Sequence, residues 1–88
     1  MLYPNPADGS MPVNLALTLQ APSDVRIRLF TVQFRKVKDA GFQQVPAGSS
    51  VLSFTLTDNH GTPLGNGLYY VVVDSSAGHQ VLKLMVLR

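Results

Sequence analysis

The sequence predicts an all-β fold, an antiparallel sandwich of about seven short strands in two facing sheets. Three observations lead there. Apolar and polar residues alternate at period two in several short runs. Turn-forming residues interrupt those runs at intervals near ten residues. The acidic residues are all Asp (Asp8, Asp24, Asp39, Asp58, Asp74), and Glu, a usual occupant of helical surfaces, is missing. No window carries helical periodicity; the nearest, Val32 to Ala40, places Val37 without enough apolar partners three and four positions away.

Taken in order, Tyr3-Pro4-Asn5-Pro6 opens the chain extended, because each proline fixes its own φ and biases its predecessor toward β or polyproline values. Asp8-Gly9-Ser10 reads as a turn. Val13, Leu15, Leu17 and Leu19 alternate with Asn14, Ala16, Thr18 and Gln20, a strand with one buried face. Val25, Ile27 and Leu29 alternate with Arg26 and Arg28 in a second strand of the same kind. Phe34 to Lys38 reads as a short strand at a sheet edge, where lysines discourage unwanted pairing. Asp39-Ala40-Gly41 reads as a turn, Phe42 to Val45 as a weak strand and Pro46 to Ser49 as a loop. Val51 to Thr57 is a strand with Leu52, Phe54 and Leu56 inward, followed by a loop from Asp58 to Gly67. Leu68 to Asp74 is almost continuously apolar, as in a central strand covered on both faces. Ser75 to Gly78 is a hairpin connection, and Val81 to Leu87 is the last strand. The expected core is Leu15, Leu17, Leu19, Val25, Ile27, Leu29, Leu52, Phe54, Leu56, Tyr69, Val71, Val73, Leu84 and Val86.

The chain of 88 residues forms one domain, 1–88, with room for one core. Apolar residues at 45% and charged residues at 14% exclude a disordered tail. A net charge of +2 is too small for strong counterion release on nucleic acid. Without cysteine there is no disulfide framework and no thiolate site. No stretch approaches the ~20 apolar residues of a membrane span.

The densest local pattern runs from Asp58 to Tyr70. Asp58 can close a turn through its carboxylate, Gly61 can take positive φ, and Gly67 permits a tight entry into the next strand. Tyr69 can bury its ring while its hydroxyl reaches the loop backbone. Asp-x-x-Gly-x-Pro-Leu-x-x-Gly-x-Tyr over Asp58 to Tyr69, preceded by Pro46-Ala47-Gly48, resembles the Ig-like domain first named from flagellar hook-capping proteins. The same pattern marks the related C-terminal sorting domains of the type IX secretion pathway. Tyr3-Pro4-Asn5-Pro6 matches the opening of that family, and Lys83-Leu84-Met85-Val86-Leu87-Arg88 matches its ending. The resemblance covers essentially the whole chain. One segment departs: where the family has Tyr-Asp-x-x-Gly-(Arg/Gln), this chain has Phe30-Thr31-Val32-Gln33-Phe34-Arg35, so the turn there is expected to differ.

The resemblance implies an Ig-like sandwich that is not an enzyme and needs no cofactor. It implies a C-terminal accessory module, for sorting, anchoring or spacing, in an exported bacterial protein such as a polysaccharide-degrading enzyme or a protease. Its partners would be upstream domains and secretion machinery or a cell-surface glycan. Its place would be extracellular or on the cell surface, with a signal peptide upstream. A carbohydrate-binding module and a structural domain of a flagellar hook cap are the alternatives.

The residues themselves agree with a non-catalytic reading. His60 and His79 fall in loops or hairpin ends, no Gly-x-Ser-x-Gly elbow exists, and the Asp residues are spread among turns. Asp58 and Asn59 are weak candidates for oxygen ligands to Ca²⁺, since the loop lacks repeated acidic positions. Arg26, Arg28, Arg35, Lys36 and Lys38 hold five of the seven basic residues and are a candidate recognition patch for an acidic partner, or more simply a solvated sheet face. Tyr70 and Arg88 complete the candidate surface. Tyr3, Phe42 and Tyr70 are the rings expected to be exposed, and without Trp a flat platform for crystalline polysaccharide is not expected.

Overall fold

Period-two alternation becomes two sheets that share one apolar interior. The structure, a computed structural model, describes residues 2–8, 11–76 and 78–87. Among them are β1 (Leu2–Tyr3), β2 (Val13–Leu19), β3 (Ser23–Thr31), β4 (Lys36–Val45), β5 (Gly48–Phe54), β6 (Gly67–Ser75) and β7 (Gly78–Val86). The first sheet has the order β1-β2-β5 and the second β4-β3-β6-β7, and every strand pairing is antiparallel. This is the sandwich that the alternation predicts. Gly9 and Ser10 of the expected first turn, Ala77 of the last hairpin and Arg88 of the candidate surface lie outside the described residues.

Alternate side chains of β2, β3 and β6 and of the end of β7 point inward. Val13, Leu15 and Leu19 of β2 face Val25, Ile27 and Leu29 of β3, Tyr69, Val71 and Val73 of β6, and Leu84 and Val86 of β7 across one buried cluster. Each fully buried aliphatic side chain contributes about 1.5–3 kcal/mol relative to exposure. Leu17 and Leu52, expected at the centre, are only partly buried and pack against that cluster from its side. Leu2, Ala7, Val45 and Leu64 are buried without having been expected there. Each lies at a strand end or in a loop, where alternation gives no phase.

Three boundaries move. Asp39-Ala40-Gly41 is not a turn: β4 runs straight through it, pairing Arg28 with Asp39, Ile27 with Ala40 and Arg26 with Gly41. A full partner ladder on β3 outweighs the local turn preference of these residues. β5 starts at Gly48, inside the expected loop, and stops at Phe54, while Leu56 stays buried beyond the strand end. β7 begins at Gly78, directly across from Ser75.

The loop before β6 follows its residues closely. The Asp58 carboxylate accepts the amides of His60 at 2.8 Å and Thr62 at 3.0 Å. Those amides hold the Asp58 carboxyl below its ordinary pKa, Thr62 first and His60 next. Gly61 takes φ 83° and Gly67 φ 143°, conformations that penalise a Cβ. Tyr69 is 8% exposed, and its hydroxyl donates to the Gly65 carbonyl at 2.8 Å, the tyrosine corner of sandwich folds.

The β3–β4 connection is where the chain departs from the family pattern. The Phe34 amide donates to the Thr31 carbonyl at 2.9 Å, the Thr31 amide to the Arg35 carbonyl at 3.0 Å, and the Arg35 amide to Thr31 Oγ1 at 3.2 Å. Thr31 thus supplies a side-chain acceptor where the pattern has Asp. Phe34 has φ 64°, in the left-handed region that the pattern's Gly enters without penalty. The turn still demands that conformation at position 34, and a bulky side chain meets the demand.

Candidate recognition surface

The two ends of the chain meet on the last strand. β7 is an edge of the four-stranded sheet, and an unpaired edge is a template for unwanted pairing. Asn5 covers part of it as a backbone mimic: its Nδ2 donates to the Lys83 carbonyl at 2.9 Å, and its Oδ1 accepts the Met85 amide at 3.1 Å. Ala7 continues the strap, donating to the Met85 carbonyl and accepting from the Leu87 amide, both at 2.8 Å. The Tyr3-Pro4-Asn5-Pro6 motif and the Lys83 to Leu87 motif, far apart in sequence, therefore form one structural unit. Spacing alone gave no sign of this contact, because nothing local marks Asn5 as a partner of β7.

The outer face of the second sheet carries most of the predicted recognition residues. Arg26 and Arg28 lie on it together, as strand parity requires. Arg26 Nε donates to the Asp39 carboxylate at 2.9 Å, its Nη2 makes a second bond there, and Lys36 Nζ joins at 3.2 Å. Arg26 and then Lys36 hold the Asp39 carboxyl far below its ordinary pKa. Arg28 pairs with Asp74, which also meets His79 Nδ1 at 2.8 Å. The Asp74 pKa is lowered by the His79 hydrogen bond first, with Arg28 adding to it. Three of the five basic residues, Arg26, Arg28 and Lys36, are thus paired with two carboxylates within the sheet, and the cluster keeps a positive excess. Lys38 is not part of that face. Its ammonium reaches the Thr57 carbonyl at 3.1 Å and the Thr55 hydroxyl at 3.3 Å, tying β4 to the chain after β5.

Beside these ion pairs lies an apolar trough of about 500 Å³, lined by Phe30, Phe34, Tyr70, Val72 and Val81 together with Arg28 and His79. The Phe34 ring stacks on Tyr70 at 5.5 Å and 6° between planes. Arg28 sits 6.0 Å from the centroid of Phe30. Tyr70 was anticipated as a surface ring; Phe30, Phe34, Val72, Val81 and His79 were not. The left-handed turn that lays Phe34 across Tyr70 is a tertiary result with no sequence signal beyond the missing glycine. Of the other two expected rings, Tyr3 is exposed, whereas Phe42 is partly buried and packs against the core.

The weak calcium candidates are engaged otherwise. Asp58 Oδ1 closes its own turn, and Asn59 Oδ1 accepts the Asp39 amide at 3.1 Å, pinning the loop to β4. Among the described residues no group of three His, Cys, Asp or Glu side chains is placed to hold a metal, and no helix is long and apolar enough to cross a membrane.

Comparison with known proteins gives the surface its context. Over its full length the fold is similar to part of dimeric latent PorU from Porphyromonas gingivalis, with a TM-score of 0.72 at 20% identity. It also matches PorZ, an essential surface component of the type IX secretion system of the same bacterium, with a TM-score of 0.63 at 19% identity. The match covers 99% and 100% of this chain but 9% and 11% of those proteins, so the chain spans about a tenth of the solved structures it matches. No curated protein sequence matches it significantly. The model of the secretion system C-terminal sorting domain matches residues 1–87, and the chain belongs to that family.

Proposed function

We propose that this chain is the C-terminal sorting module of a larger bacterial protein exported through a type IX machinery. It performs no chemistry and is read through its surface. The observation that carries this reading is the family match over residues 1–87, whose signature segments at the two ends come together on β7. The parent is a multidomain protein of the cell surface or extracellular space, with its own activity, such as polysaccharide or protein cleavage, in upstream domains.

The test is a fluorescent protein with an N-terminal export signal, fused ahead of residues 1–88 and expressed in a bacterium that has the type IX machinery. The reporter should reach the surface or medium, and the same reporter without residues 1–88 should stay in the periplasm. Equal release of both defeats the proposal.

A further inference from the structure

The apolar trough on the outer face of the second sheet is unlike a scatter of exposed side chains. Phe34 is 73% exposed and Val81 53% exposed, and both line one continuous depression. Phe34 is moreover held at φ 64°, a conformation that disfavours any Cβ and that a glycine would take freely. Gln44 shares that conformation with φ 54°, so what distinguishes Phe34 is the strain together with an exposed ring in the trough. Large aromatics flanked by arginine are the usual anchors of protein interfaces.

Charge indicates what the trough accepts. Arg26 and Lys36 share Asp39, and Arg28 and His79 share Asp74. Arg35, next to Phe34, and Lys83, directly across from Tyr70, have no carboxylate partner among the described residues. Of the three lining side chains with polar atoms, Arg28 and His79 are joined to Asp74 and Tyr70 offers one hydroxyl, so few hydrogen-bonding groups converge there for a sugar.

We propose that this face is a docking surface for a protein of the export machinery, with Phe34 as its anchor. The partner presents an apolar or aromatic knob to the trough and carboxylates to Arg35 and Lys83. This inference rests on the sorting reading above and adds the surface by which the module is recognised.

The experiment uses the same export reporter with two substitutions in residues 1–88. Phe34→Gly removes the ring and relieves the left-handed backbone. Val81→Lys puts a charge in the trough at an exposed position. Both purified variants should give a β-sheet circular dichroism spectrum, and Phe34→Gly should melt no lower than the wild type by more than a few degrees. Each should lower the exported reporter at least tenfold. Full export of either variant overturns the inference and leaves the sorting reading intact, whereas retention of the wild-type reporter overturns both. A wild-type dimer in sedimentation that Phe34→Gly makes monomeric assigns the face to a second copy of this chain. Binding to heparin that Phe34→Gly abolishes assigns it to an anionic glycan. Either of these results also overturns the inference.

Discussion

Truncation of Leu84 tests the packing on which the surface depends. Leu84 is 0% exposed and lies opposite Tyr69, so its side chain is enclosed between the sheets. Removing its three outer carbons forfeits their transfer free energy and leaves a cavity, together about 2.7–5 kcal/mol. A chain of 88 residues has a total stability of about 4–13 kcal/mol at typical values per residue. Leu84→Ala should therefore lower the melting temperature by at least ~11 °C, at about 4–8 °C per kcal/mol for a domain of this size. Leu87, three positions on and 54% exposed, provides the control. Leu87→Ala should change stability by no more than about 0.5 kcal/mol. Urea unfolding followed by circular dichroism measures both, with an unchanged m-value confirming that the folded state itself is intact. If Leu84→Ala leaves too little folded protein, Leu84→Val, with one methylene fewer, should still cost about 1 kcal/mol. A difference below about 1 kcal/mol between Leu84→Ala and Leu87→Ala would refute the enclosure of Leu84 between the sheets, since the chemistry of the two changes is the same.

Other perturbations probe the loop and the ion pairs. Tyr69→Phe keeps the buried ring but strips the Gly65 carbonyl of its donor, and should cost about 1–2 kcal/mol in the same urea assay. The carboxyl groups of Asp39, Asp58 and Asp74 are all lowered in the folded state, so the stability they contribute is complete above pH ~4 and drains away as the pH falls below that. Asp39→Asn should flatten this acid loss between about pH 4 and 2, and an unchanged slope would show that the Arg26 and Lys36 contacts are too well screened to count.

Much of the architecture was written in the chain as alternation. The inward faces of β2, β3 and β7 follow from apolar residues two apart, because side chains on a strand point to opposite faces in turn, whereas β6 read as an unbroken apolar run. The Asp58 to Tyr69 loop was equally legible, since its carboxylate turn, its left-handed glycines and its tyrosine corner are local contacts between near neighbours. Tertiary structure alone decided the rest. Asp39 to Gly41 became strand because β3 offered a complete ladder to pair with. Three cations of the basic cluster became paired with carboxylates because β6 brought Asp74 beside Arg28 and pairing with β4 brought Asp39 beside Arg26 and Lys36. Asn5 came to cap β7, and Phe34 to lie on Tyr70, through contacts between residues 78 or more and 36 positions apart respectively. Local composition encodes the conformation of a segment and the side it buries. It does not encode which distant segment arrives on the other side, and here that arrival shapes the surface.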